Sequence, residues 1–297
     1  MYVLKSDRNA PGQLLGNQAL VLPPSHQLGG FNAISNTKDA PWRWVCSIYV
    51  SFPKKVYPAG ISRGNRSAKD ARFGTGVLIS PRHVLTVAHN ILGLDSRNRR
   101  IEPSRIEISP GRNDAKFRPN QFGTYRHRRY FIPQKFSQRA TSHQGAPFDI
   151  ALIELRSKPG NKKKLGWWGR ESDSALRRVT GTFRAHLKTR QVCIAGYPYS
   201  KDSEEFTEYS TPAGLPYHDF GYVHSLYPNM LTYCAWGESG MSGGPVWIEN
   251  KSSGQRYLVG IHQGRNLFAS GTRQGTLLRP NVIDWLKAKV GSSLRVV

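Results

Sequence analysis

The chain reads as a series of short apolar runs separated by Gly- and Pro-rich turns. From Trp42, the residues Trp44, Cys46, Ile48 and Val50 alternate with Val45, Ser47, Tyr49 and Ser51, a period of two that predicts a strand. Gly76-Val77-Leu78-Ile79 and His83-Val84-Leu85-Thr86-Val87 are two more β-type runs, joined by the turn Ser80-Pro81-Arg82. Further strand candidates are Asp149 to Leu155, Val192 to Gly196 and Tyr257 to Ile261. Only Val282 to Lys289 reads as a helix, with Pro280-Asn281 as its cap and Val282, Ile283, Trp285 and Leu286 on one face. Many short strands and one C-terminal helix predict an all-β architecture, barrel or sandwich.

The remaining stretches lack either period. Residues 1–39 are rich in Gly, Pro, Asn and Ser and read as an extended arm or pro-segment. Pro53 to Arg72 reads as a basic loop, and Lys162-Lys163-Lys164 sits in a Pro/Gly loop that links two halves. Residues 97–139 hold 12 Lys/Arg against 3 Asp/Glu, with Tyr125, Tyr130 and Phe131 interleaved. Two readings fit them: a solvated insertion loop, or an electrostatic patch for nucleic acid or an acidic partner. The acidic cluster Asp202, Glu204, Glu205 and Glu208 reads as a solvated loop beside a cleft.

Charge sharpens this picture without choosing a partner. Among 297 residues, 43 Lys and Arg face 19 Asp and Glu, a formal charge of +24 that attracts anions of any kind. No RNA-recognition, zinc-finger or helix-turn-helix pattern marks a dedicated nucleic-acid module. No apolar run reaches the ~18 residues of a membrane span. Met1 to Asn9 shows no signal-peptide pattern. Cys46, Cys193 and Cys234 allow at most one disulfide, lack CxxC spacing and read as buried thiols. His26, His83, His127, His143, His186, His218 and His224 have no metal-ligand spacing and read as surface or packing residues.

Candidate chemistry starts at Gly240-Met241-Ser242-Gly243-Gly244. A serine between glycines sits on a tight turn, where neighbouring N–H groups, those of Gly240 and Ser242, can converge on an oxyanion. An α/β-hydrolase would need Ser, then acid, then His in chain order. After Ser242 the chain has only His262, with Glu249 the one acid between them, and it lacks strand–helix alternation. Upstream, His89 follows the run Leu85-Thr86-Val87-Ala88, and Asp149 opens Asp149-Ile150-Ala151-Leu152. The order His89, Asp149, Ser242 supplies a base, an orienting acid and a nucleophile.

These blocks resemble the chymotrypsin-fold serine endopeptidases, and more closely the bacterial branch containing the staphylococcal glutamyl endopeptidase. The resemblance rests on Leu85 to His89, Asp149 to Leu152, Gly196-Tyr197-Pro198, Gly240 to Val246, Gly260-Ile261-His262 and Asn281 to Leu286, with a linker-like Lys164 to Gly169. It implies two six-stranded antiparallel barrels with the site between them and a C-terminal helix. On that basis residues 40–290 form the peptidase domain. The first barrel spans about 40–156, the linker 157–180, the second barrel 181–280 and the helix 281–290. The mechanism needs no metal and no organic cofactor, and its partners are protein or peptide substrates.

Two departures matter. Animal members carry an Asp before the nucleophile and a Cys after the catalytic His, where this chain has Met241 and Asn90. In the glutamyl branch the G-I-H histidine, here His262, binds a substrate carboxylate. That branch also has Thr or Ser where this chain has Gly237, followed by Glu238. Arg265 could supply positive charge instead, with Gly264 beside it, while a His here in picornavirus-type main proteases reads Gln. Acidic and Gln preferences both stay open, as do the compartment and the oligomeric state. The alternative function is a catalytically silent protease-fold protein that binds nucleic acid or acidic proteins.

Overall fold

The apolar runs of the first half become the staves of a barrel. In this computed structural model, residues 32–59, 68–113, 121–138, 143–198, 215–266 and 271–297 are described. After a two-residue β1 (Asn32–Ala33) come β2 (Val45–Pro58), β3 (Lys69–Leu78), β4 (His83–Thr86), β5 (Gly93–Leu94), β6 (Arg100–Ile101), β7 (Arg105–Pro110), β8 (Tyr125–Phe131) and β9 (Ala151–Leu155). The antiparallel order β2-β3-β4-β9-β8-β7 returns to β2, which closes six strands into a barrel, with β5 and β6 extending from β2 outside it.

The second half repeats this plan. Its strands are β10 (Ser174–Leu176), β11 (Gln191–Gly196), β12 (Tyr217–Leu226), β13 (Met230–Cys234), β14 (Pro245–Asn250), β15 (Gln255–Arg265) and β16 (Arg273–Leu277). The circuit β11-β12-β13-β16-β15-β14 closes a second antiparallel barrel, while β10 runs parallel to β15 outside it. The fold is therefore two closed six-stranded barrels with a C-terminal helix, the chymotrypsin-like architecture.

Four α-helices punctuate the described chain: α1 (Ala88–Ile91), α2 (Gln134–Ser137), α3 (Gly181–Leu187) and α4 (Pro280–Val290). The expected C-terminal helix is α4. Its Val282, Ile283 and Leu286 are buried in the larger apolar cluster, which holds the first barrel's interior. Lys289 lies over the Phe131 ring of β8, 5.1 Å from its centroid. Tryptophans fill the space between the halves. Trp42 meets Trp247, Trp247 meets Trp168, and Trp168 meets Trp44, all edge-on at 5.6–5.7 Å. Edge-on rings at this spacing add about 0.5–1.5 kcal/mol per pair beyond their buried area.

Some expectations need correction. The strand predicted from Trp42 begins at Val45, because Trp42–Trp44 form a tight turn closed by Trp44 N–H donating to the Pro41 carbonyl at 3.0 Å. Residues 97–139 are not simply an insertion loop: their described parts include β7, β8 and α2. Strand β8 is hydrogen-bonded between β7 and β9 while its arginines extend their charged ends to solvent, so the ladder is satisfied under a basic surface. Helix α3 was not foreseen from its short sequence, yet Leu187 anchors it in the second barrel's core. The three cysteines are free, and Cys234 is half-buried rather than buried. Residues 1–31 of the arm, 60–67, 114–120 and the acidic cluster at 202–208 lie outside the described residues. No helix among the described residues is long and apolar enough to cross a membrane.

Candidate active site

His89 is placed by the turn of helix that follows β4. Its N–H donates to Asp149 Oδ1 at 3.0 Å, and its Nδ1 lies 2.6 Å from Asp149 Oδ2. One carboxylate thus grips both the backbone and the ring. On the other side, Arg72 Nη1 donates to the carbonyls of His89 at 3.0 Å and Leu92 at 3.1 Å. His89 and Asp149 are both buried, where charge-assisted hydrogen bonds gain strength. Asp149 in turn is held through its carbonyl, which accepts from Thr276 Oγ1 at 2.8 Å.

Ser242 sits on the 239–243 turn of the second barrel, and residues of the first barrel hold that turn. The Ser242 carbonyl accepts from Thr75 N–H at 2.8 Å and from Asn90 Nδ2 at 2.8 Å. Thr75 Oγ1 donates to the Gly240 carbonyl at 2.7 Å. Gly243 is required here: its φ is +92°, and a Cβ would fall 2.0 Å from the Thr75 carbonyl. The Ser242 hydroxyl donates to the Gln263 carbonyl at 2.9 Å. Gln263 is itself fixed by bonds to the Ala146 carbonyl (2.6 Å), Thr276 Oγ1 (2.7 Å) and Gln274 Nε2 (2.8 Å). Among the described residues, the N–H groups of Gly240 and Ser242 have no protein acceptor.

Beside this turn lies a small polar recess. His262 is buried, and its Nδ1 is 2.6 Å from the Tyr233 hydroxyl. Its Nε2 is buried without a partner. Burial, then the positive charges of Arg273 and His89, push the ring pKa down to about 3. Burial also raises the Tyr233 pKa well above its usual value, so the phenol stays protonated. Gly237 forms the facing wall: a Cβ there would be 3.2 Å from His262 Nε2 and 3.4 Å from Arg273 Nε. Asp219 Oδ2 accepts from Trp236 N–H at 2.6 Å and steadies that wall. Gly264 has φ +140°, and a Cβ on it would lie 4.0 Å from Ser242 Oγ. Arg265 follows on the same strand and is exposed.

The sequence matches the family described as "Trypsin-like peptidase domain" over residues 74–261. The chain belongs to the trypsin-like peptidase family. It is a serine-type endopeptidase, and its substrates are proteins or peptides. Solved structures of trypsin-like peptidases share its fold. One titled "Structure of Glu endopeptidase in complex with MPD" has 20% identity, a TM-score of 0.62, and coverage of 88% of this chain and 96% of that one. Protease Anisep from Arthrobacter nicotinovorans has 14% identity, a TM-score of 0.55, and coverage of 89% and 100%. The thermostable serine protease AL20 has 10% identity, a TM-score of 0.54, and coverage of 84% and 98%. No curated protein sequence matches the chain.

The structure brings His89 and Asp149 into direct contact, bonds the Ser242 hydroxyl to the Gln263 carbonyl rather than to His89, and places His262 and Gly237 at the recess beside them. Sequence reasoning missed Thr75, Arg72, Tyr233, Gln263 and Arg273. They reach the site through strand register or across the junction, and no local motif marks them. Asn90 was visible only as the residue standing where animal members have Cys.

Proposed function

We propose that this trypsin-like endopeptidase cleaves peptide bonds through His89, Asp149 and Ser242, with a preference for Glu or Asp before the scissile bond. The double hold of Asp149 on His89, with Asn90 next door bonded to Ser242, is the observation that carries the mechanism. Asp149 keeps the His89 proton on Nδ1, which leaves Nε2 free to act as base. For attack, the Ser242 hydroxyl turns from the Gln263 carbonyl towards His89 Nε2. His89 takes its proton as Oγ adds to the substrate carbonyl. The unengaged N–H groups of Gly240 and Ser242 receive the oxyanion, an arrangement whose single donors are worth about 10²–10³ in kcat elsewhere. His89 then protonates the leaving amine, and water hydrolyses the acyl-enzyme by the reverse sequence.

His262 supports the acidic preference. With Tyr233 donating to Nδ1, the ring carries its proton on Nε2 and offers it to an acceptor in the recess. The solved neighbour titled a Glu endopeptidase agrees with this reading. A neutral imidazole can also bind a Gln amide oxygen, so Gln is the competing substrate residue. In β8, Arg128 and Arg129 pair with Glu154, and Arg126 pairs with Glu107, so these arginines do not by themselves support a nucleic-acid role.

The test compares wild type with Ser242→Ala on a proteome-derived peptide library, with cuts read by mass spectrometry. Serine-dependent cuts after Glu or Asp are expected, together with fluorophosphonate labelling of wild type alone. A folded wild-type protein that takes no label and makes no cut overturns the mechanism. Serine-dependent cuts after other residues keep the mechanism and overturn the preference.

A further inference from the structure

The floor of the recess holds a second cationic group that no local motif announced. Arg273 begins β16, where it stands in register with Arg265 on β15 and with Tyr233 on β13. Its side chain is half-buried, and its Nε donates to the Gly237 carbonyl at 3.1 Å. That bond fixes the plane of the guanidinium. Its two Nη groups make no hydrogen bond or ion pair among the described residues. A half-buried guanidinium held at Nε, with both Nη groups unbonded, is oriented to complete its hydrogen bonds with a ligand.

The neighbouring donor is also incomplete. His262 Nε2 is buried and unpartnered, and it shares with Arg273 Nε the space that a Gly237 side chain would fill. His262 Nε2 is therefore an unused donor next to a guanidinium whose Nε is taken by the Gly237 carbonyl and whose Nη groups are not. The vacant geometry suits a group with two acceptor oxygens and a negative charge. A planar guanidinium and an imidazole N–H together match a carboxylate better than an amide, since an amide presents one oxygen and two further donors.

We infer that Arg273 is the residue that selects a substrate carboxylate over the corresponding amide, with His262 binding the oxygen that Glu and Gln have in common. This rests on the reading of the recess as the primary specificity pocket. Glu238 opposes Arg273: its negative charge acts on the guanidinium, whereas Arg265 adds positive charge at the rim. The balance of Arg273, Arg265 and Glu238 is one net positive charge, so the pocket favours an acid despite Glu238.

The experiment uses the full chain and matched fluorogenic peptides that differ only in Glu or Gln before the scissile bond. Wild type is expected to prefer Glu. In Arg273→Gln the Glu-to-Gln ratio of kcat/KM is expected to fall about 100-fold, a size in keeping with loss of a charge-assisted bidentate contact. Arg273→Lys should keep part of the ratio, and Glu238→Gln should raise it. Thermal melting and fluorophosphonate labelling of each variant show that fold and nucleophile survive. A Glu-preferring wild type whose ratio is unchanged in Arg273→Gln overturns the inference and leaves the pocket reading intact. If Arg273→Gln does not fold, the ratios in Arg273→Lys and Glu238→Gln decide: no change in either overturns the inference. A wild type that cuts without favouring Glu or Gln overturns both, as does one that neither labels nor cuts.

Discussion

Asn90 Nδ2 donates to the carbonyl of Ser242 at 2.8 Å, so the residue after His89 holds the backbone of the proposed nucleophile across the barrel junction. Gly74 makes room for this contact, since a Cβ there would lie 2.4 Å from Asn90 Nδ2. The Thr75 N–H adds a second bond to the Ser242 carbonyl at 2.8 Å, and the two together tie the barrels at this turn.

That tie predicts a kinetic effect. Asn90→Ala and Thr75→Val each remove a bond that sets the height and tilt of Ser242. Misplacement by a fraction of an ångström to one ångström costs up to about 100-fold in rate. We expect kcat to fall about 10- to 100-fold with KM changed less than about 3-fold, because the lost contacts bear on attack rather than on substrate binding. Steady-state kinetics and the rate of fluorophosphonate labelling should fall together. An unchanged labelling rate in both variants would refute the positioning role.

Gly243→Ala should be far more damaging than its size suggests. The new methyl meets the Thr75 carbonyl at 2.0 Å and Thr86 Oγ1 at 2.1 Å, and the backbone at φ +92° disfavours any side chain. The expected loss is at least about 2 kcal/mol of stability with activity abolished. Urea unfolding measures the first and peptide cleavage the second. A stable, active Gly243→Ala protein would show that the turn has another conformation open to it.

Acid should weaken the fold through buried neutral histidines. Burial holds the His83 pKa down to about 4, from an ordinary value of 6.5, and His262 is lower still. Between those values an unfolded chain binds protons that the folded chain refuses. Stability is therefore complete above pH 6.5 and declines as pH falls through about 4. Asp219 works in the opposite sense, because burial raises its pKa. Denaturation midpoints measured across this pH range should fall on acidification, and His83→Gln should flatten the slope. A midpoint insensitive to pH in this range would contradict the assignment.

Glu154 shows how register creates an interaction that no local pattern contains. Strand pairing places it opposite His83 on β4 and Arg129 on β8. Burial opposes its charge, but hydrogen bonds from Arg129 (2.6 Å) and Arg82 (3.2 Å) outweigh that and lower its pKa. Glu154→Ala leaves His83 facing arginines without a counter-charge. We expect about 1–3 kcal/mol of destabilisation with kcat/KM on matched peptides little changed. A stability loss below a few tenths of a kcal/mol in urea titration would count against the clamp.

The same cases explain what could be read in advance. His89, Asp149 and Ser242 each sit in a short block whose neighbours constrain them, so order and local context were enough to mark them as candidates. Strands such as β4 and β9 announced themselves by continuous burial-prone residues. Strand β8 did not, because Arg126, Arg128 and Arg129 make a strand look like a solvated loop until Glu107 and Glu154 are seen beside it. Arg273 and Tyr233 escaped for a related reason. Their relation to His262 depends on how β13, β15 and β16 are aligned, and a shift of one residue would turn each side chain away.

The tie between Thr75, Asn90 and the turn at Ser242 also bears on when the enzyme becomes dangerous to its surroundings. Thr75 and Asn90, which hold the Ser242 turn, come from the first half of the chain, and Ser242 comes from the second. The second half lacks the contacts that seat Ser242 until the two halves dock. On the proposed mechanism, cleavage requires both halves to have docked. Turnover of a test peptide then doubles as a gauge of completed docking.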